Sequence, residues 1–333
     1  MDLLLQEAAT PLRLNTLELT GGLGQDGVTA SEAVNLLVIL ILSRGKCGLS
    51  RCISCYLVSM AAADLTVILT AVILDRIVTL YFIDIFTESI TMCGLGDCLT
   101  HAATDCSVWF TVAFTFDRFV AICCQKLKTK YCTARTATVV LGTVSVLSCL
   151  KNIPWYFRYE VFYLFSMPIY CLVRWSYYTS PVWKAFDYFH RALTPLLPFV
   201  LILLLNALTV RHILLASRVR RGLRGKRDRE NHKDTEMENR RKSFVLLFSI
   251  SASFILLWMT QAVYTIHERI VLNHVTDLFF GNRLPDFGYI GPILQLLSSC
   301  SNTCIYVVTQ TKVRQEFKTV LTYPFVLILH LVK

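Results

Sequence analysis

The chain has 333 residues, 54% of them hydrophobic and only 17% charged, with a mean hydropathy of +0.52. Soluble domains carry about 45–50% apolar and about 25% charged residues, so this composition excludes an ordinary soluble fold and points to a bilayer. The net charge of +10 calls for an acidic partner. The bases cluster between apolar blocks, which favours a membrane surface or a membrane-bound partner over nucleic acid.

In chain order, residues 1–32 are polar and Gly-rich, with no basic start leading into an apolar core, so a cleaved signal peptide is not expected. The first apolar block, Ala33–Leu42, covers only about half of a crossing that takes roughly 20 apolar residues. Either poor sequence extends the first helix, or residues 1–32 reflect an incorrect gene assignment; the second reading is preferred. The remaining blocks lie near 53–74, 94–123, 137–157, 188–214, 243–266 and 287–309, which makes seven spans. Leu193–Val210 and Phe244–Val263 contain no charge at all. Spans three and seven carry many small polar residues, which a helix facing only lipid does not need, so both are expected to face other helices. The expected fold is an all-α membrane protein. A seven-transmembrane-helix bundle over 33–310 follows an extracellular 1–32 and precedes a short amphipathic helix and cytoplasmic tail over 311–333.

Orientation follows from the bases. Arg44, Lys46 and Arg51 follow span one; Lys126, Lys128, Lys130 and Arg135 follow span three; seven bases from Arg218 to Arg229 follow span five; Lys312, Arg314 and Lys318 follow span seven. The alternate loops are mixed, with Asp84, Glu88 and Asp97 in one and Glu268, Arg269, Asp277, Arg283 and Asp286 in another. The excess of bases on one side places the amino terminus outside. The long run after span five reads as a loop held near anionic lipid, as a contact for a cytosolic partner, or as both.

Thirteen cysteines do not form a disulfide framework here. Cys106, Cys123, Cys124, Cys149 and Cys304 lie in apolar blocks or beside bases and read as small buried hydrophobes. Cys52 and Cys55 have no second pair at zinc-site spacing, so no metal site is expected.

Four features stand out inside the spans: Asp64 in span two, Asp117-Arg118-Phe119 closing span three, Phe254 to Trp258 in span six, and Asn302 to Tyr306 in span seven. A carboxylate within a bilayer is costly and marks function by default. Stepping along span three from Arg118 at helical spacing gives Thr111, Ser107, Thr104 and Thr100 on one face. Ser107 then falls near the depth of Asp64, with Asn302, Ser298 and Ser299 approaching from span seven and Asn35 from span one. This oxygen-rich, singly acidic set suits a sodium ion; a water-filled network around a protonated Asp64 is the alternative. The inward-facing candidates for a ligand site in the outer half are Thr100, His101 and Thr104, then His190, Arg191 and Thr194, then Trp258, Gln261, Tyr264 and Gln295. Asp105 sits one step off this stripe and is expected to bond to span four or five.

Together these motifs resemble the signature of class A (rhodopsin-like) G-protein-coupled receptors, over roughly residues 33–320. The matches are Asn35, the Asp64 motif (with Ala61 in place of Leu), Asp117-Arg118-Phe119 for Asp-Arg-Tyr, Phe254-x-x-x-Trp258, and Asn302-Thr303-x-x-Tyr306 for Asn-Pro-x-x-Tyr. Residues 104–122 and 193–199 are closer still to an orphan branch of that family. The resemblance implies a plasma-membrane receptor for an extracellular small molecule or peptide, coupled to a heterotrimeric G protein of the Gq type. It implies the sodium site as an allosteric one, with no required cofactor, and Asp117, Arg118, Phe254, Trp258 and Tyr306 as the switch and coupling residues. It also implies a disulfide between Cys93 at the outer end of span three and Cys171 in the loop before span five, with Cys98 a competing partner. Thr100, where amine receptors place an acid, argues against a biogenic amine, and the orphan branch suggests an aromatic amino acid.

The chain departs from the family pattern at Thr260 and Thr303, where prolines are usual, at Asn206, where a tyrosine is usual, and in lacking a matching tryptophan in span four. Arg240 stands where relatives place an acid that locks Arg118, which predicts raised basal activity. A polytopic transporter is the rival reading, but neither internal repeats nor paired broken helices occur. An enzyme is not expected, since the seven histidines are scattered and none forms a HExxH motif.

Overall fold

The computed structural model of the protein describes residues 24–45, 47–70, 90–164, 167–223, 244–260, 263, 287–309, 313–319 and 322. Span one is a helix over Gly24–Ser43, so its backbone takes in polar residues that hydropathy alone sets before the span. Elongating a helix fixes one residue per added hydrogen bond, so a helix begun in Ala33–Leu42 extends readily into its flank. Gly45 and Gly48 then turn the chain at φ of 69° and 65°, a region that side-chain-bearing residues avoid. Ser50 caps the span-two helix, Arg51–Ile68, by accepting the Ile53 N–H at 3.3 Å.

Span three is a 34-residue helix, Ile90–Cys123. At 1.5 Å per residue it is about 51 Å long and overshoots the hydrocarbon layer. A short helix, Gln125–Tyr131, leads to span four over Ala134–Asn152, which Thr133 caps. Span four stops there rather than at 157 because Pro154 sits in a tight 3-10 turn over Ile153–Arg158. Two strands follow, β1 (Tyr159–Leu164) and β2 (Met167–Val173), paired antiparallel. This hairpin was not expected from the sequence. Span five starts at Pro181 rather than 188, runs as a helix to Arg191, breaks at Thr194, whose φ of −150° and ψ of 108° are not helical, and continues over Leu197–Leu223. A proline ring pushes the residue before it out of helical backbone, which puts the break at Thr194, directly before Pro195. Helices over Phe244–Thr260 and Phe287–Thr309 carry spans six and seven, and residues 313–319 are helical beyond them.

Among the described residues, four helices are long and apolar enough to cross a membrane: Arg51–Ile68, Ile90–Cys123, Ala134–Arg158 and Pro181–Ala216. Span three is central and packs against spans two, four and five. One buried apolar cluster joins spans one, two, three, six and seven through Val38, Tyr56, Met60, Phe114, Ile250 and Tyr306. A second joins spans three, five and six through Val108, Val112, Ile202, Phe254 and Trp258. Large apolar residues such as Val139, Leu147, Val200 and Leu203 point outward, as a lipid-facing surface requires. Gly94 makes the tightest approach: a Cβ there would come 2.5 Å from the Tyr156 carbonyl oxygen, so span three meets the 153–158 turn backbone to backbone.

Candidate functional site

The inner polar cluster is built around Asp64, which is fully buried on span two. Ser107 of span three donates to its Oδ1 at 2.5 Å, and Asn302 of span seven donates to its Oδ2 at 3.0 Å. Ser298 and Ser299 are both buried on the same helix as Asn302. Asn35 of span one donates to the Ser299 carbonyl at 3.3 Å and accepts from the Thr303 hydroxyl. Thr303, at the place of the usual proline, thus ties spans one and seven together with a hydroxyl that proline lacks. The donor set around Asp64 is all oxygen apart from the Asn302 amide nitrogen, and oxygen ligands suit a hard cation.

Toward the other end of span three, Asp117 and Arg118 are both buried. Arg118 donates to Asp117 through Nε at 3.1 Å and through Nη2. Two thiols complete the shell. Cys52 of span two donates to Asp117 Oδ1 at 3.3 Å, and Cys132 donates to the Asp117 carbonyl at 3.6 Å. Burial and the Asp117 carboxylate push the Cys132 thiol up to about 11, so it stays protonated as a donor and is a poor nucleophile. Tyr306 is wholly buried, its hydroxyl 3.7 Å from the Met60 sulfur. Phe254 lies between Phe199 and Trp258, with ring centroids 5.5 and 5.8 Å away. Arg240 lies outside the described residues.

The outer half is aromatic and charged. His101 stacks on Trp155 with ring centroids 4.3 Å apart and meets the His190 ring edge-on at 5.2 Å. The Arg158 guanidinium lies over Trp155 at 5.3 Å and over Tyr177 at 4.7 Å. Asp97 holds this group from span three, 3.3 Å from Arg158 and 3.5 Å from His101. One turn and more inward, Asp105 is fully buried; Lys151 of span four reaches it at 2.6 Å and Asn152 donates to it at 2.5 Å. Lys151 also donates to Thr194 at the break in span five, at 3.3 Å. Several buried polar atoms have no hydrogen-bond partner among the described residues: Asp105 Oδ1, Asn152 Oδ1, Trp155 Nε1, Arg158 Nε and His190 Nδ1.

The structure therefore brings His101 and His190 together and places Thr104 and Trp258 as buried side chains in the bundle. Thr100 turns its hydroxyl back to the Gly96 carbonyl at 2.8 Å, and Arg191 is paired with Asp187 at 2.9 Å. Gln261 and Tyr264 lie outside the described residues, as does the Gln295 side chain. Cys93 is disulfide-bonded while Cys98 is a free thiol, which removes the competing partner; Cys171 is on β2, its side chain outside the described set. Asp105 bonds to span four. Sequence reasoning missed Lys151, Asn152, Trp155 and Arg158, although a lysine inside an apolar block was a signal in plain view.

Comparison with known proteins agrees with this layout. The family described as "7 transmembrane receptor (rhodopsin family)" matches residues 34–306. The human galanin receptor type 2 is 25% identical over 292 residues, which cover 86% of this chain and 68% of that one.

Proposed function

We propose a ligand class, a G-protein class and an ion for this chain from one premise: it belongs to the rhodopsin family of seven-transmembrane receptors. It is a multi-pass plasma-membrane receptor, not an enzyme, that takes an extracellular ligand and signals through a heterotrimeric G protein.

The ligand is a small molecule bearing an aromatic ring and an anionic group, with an aromatic amino acid the leading form. One observation carries this reading: Arg158 lies over Trp155 and Tyr177 beside the stacked His101, with Trp155 Nε1 and Arg158 Nε finding no partner among the described residues. A planar guanidinium recognises carboxylates and stacks on rings. Buried donors without partners gain most from a ligand acceptor. A peptide is the second form, and one protein to which the chain is similar is named as a galanin receptor. The amino terminus is outside, and coupling is of the Gq class, as the resemblance to the orphan branch implies. A screen of amino acids and short peptides, with cytosolic calcium and cyclic-nucleotide readouts, tests the reading. Calcium release lost in Arg158→Gln but kept in the exposed Arg174→Gln supports it. A response untouched by Arg158→Gln sinks it, and uptake without a second messenger would indicate a transporter.

Sodium binds at Asp64 as an allosteric ion, held by that carboxylate with Ser107, Ser298, Ser299 and Asn302. What supports this is a buried, singly acidic set of oxygens drawn from three spans. Asp64→Asn abolishes any effect of sodium on agonist affinity; an unchanged effect in that variant rejects the ion.

A further inference from the structure

Span five carries two arginines on a face turned away from the bundle. Arg211 and Arg218 are both exposed, and none of the ion pairs among the described residues involves either. Seven residues of helix separate them, two turns and about 10 Å along one face. With Ala207, Val210, Leu214 and Leu215 they line an open groove of about 490 Å³. Leu214 and Leu215 are each about half exposed, so the groove floor is apolar. The opposite face of the same helix is inside, with Ile202 and Thr209 fully buried.

Arg211 follows directly on the charge-free run Leu193–Val210, at the edge of the hydrocarbon layer. A guanidinium on a lipid-facing helix is costly unless it reaches an anion at the interface. The surrounding membrane offers one kind of anion there, the phosphate of a lipid, and arginine's forked donors match it. Basic residues at the start of the Arg218–Arg229 run add to the same local potential.

We propose that this stripe is a binding site for one anionic phospholipid. Arg211 and Arg218 hold its headgroup, and an acyl chain lies along Val210, Leu214 and Leu215. Bound lipid braces the end of span five where the long basic connection begins. A second copy of the chain and the G protein are the competing occupants.

The test uses the full chain, purified in phosphatidylcholine and titrated with phosphatidylglycerol, with bound lipid counted by native mass spectrometry. One saturable phosphatidylglycerol adduct is expected. Arg211→Gln/Arg218→Gln weakens it about thirtyfold, the change expected for two arginines at roughly 1 kcal/mol each. Arg211→Lys/Arg218→Lys keeps the charge but loses the forked donors and weakens it by less, about a few-fold, and Arg44→Gln/Arg51→Gln leaves it unchanged. Equal melting temperatures in phosphatidylcholine show that the variants fold, and the lysine pair carries the test if the glutamine pair does not. Loss of the adduct with Arg44→Gln/Arg51→Gln overturns the site. So does competition by glycerol phosphate at equal concentration, which would indicate a bare anion site, or a dimer that only the span-five variants dissolve.

Discussion

The two ends of the bundle treat buried polar groups in opposite ways. Around Asp64 the carboxylate, Asn35, Asn302 and Thr303 all have partners, drawn from four spans. Around Asp105 and Trp155 the charges are paired, yet five buried polar atoms find no partner among the described residues. A satisfied network fixes the arrangement of its helices, whereas unsatisfied groups hold free energy that a ligand can release. The inner region thus reads as the part that keeps the bundle in register, and the outer region as the part left open to chemistry from outside.

Four substitutions break or sharpen this contrast. The largest effect is expected at the outer ion pair. Lys151→Met strands the Asp105 carboxylate and costs about 3–5 kcal/mol, read as a fall in the melting temperature. Adding Asp105→Asn restores most of that loss; a single variant as stable as the parent would show that the pair is solvated. Next comes the inner network, where Thr303→Val leaves the Asn35 carbonyl oxygen without its donor. That costs about 1–3 kcal/mol and is checked by the same melting assay. Smaller again is Cys52→Ala, which removes a weak thiol donor to Asp117 and costs about 0.5–1.5 kcal/mol. Its signature is higher ligand-independent signalling, because Asp117 loses one of the groups that hold it; unchanged basal activity counts against that role. The smallest stability change is expected for His190→Phe, which discards a buried nitrogen that has no partner among the described residues and stays within about 1 kcal/mol of the parent. Agonist potency should nevertheless drop at least tenfold in a calcium assay, and a normal dose-response curve would remove His190 from the ligand site.

The inner region was the more legible of the two from sequence. Helical stepping from Arg118 sets Ser107 level with Asp64, and the structure places the two 2.5 Å apart. That arithmetic works because small polar side chains act close to their own backbone, so helix phase and depth decide their neighbours. The outer region depends on long side chains and irregular backbone. Lys151 reaches both Asp105 and Thr194, and no spacing rule says which way a four-carbon stem will lie. Trp155 and Arg158 sit in a 3-10 turn that hydropathy merges into span four, and the Pro195 break re-aims the helix that carries His190. The thiol contacts on Asp117 were invisible for a different reason: Cys52 was weighed only for zinc-site spacing, and a thiol's weak donor leaves no pattern in the sequence.

Thr303 has a mechanical consequence. The helix over Phe287–Thr309 runs through this position without interruption, where a proline would have made a hinge. From Pro292 to Thr309 it is a stretch of about 26 Å with no further proline, which resists local bending. Tyr306 lies roughly 7 Å beyond the middle of the Ser299–Thr303 turn and Pro292 roughly 13 Å before it, so a tilt of about 5° about that turn moves the first by about 0.6 Å and the second by about 1 Å. The pivot of that tilt is the seam of Asn35, Ser299 and Thr303, so motion at the outer mouth is geared directly, and with opposite sign, to motion at the far end.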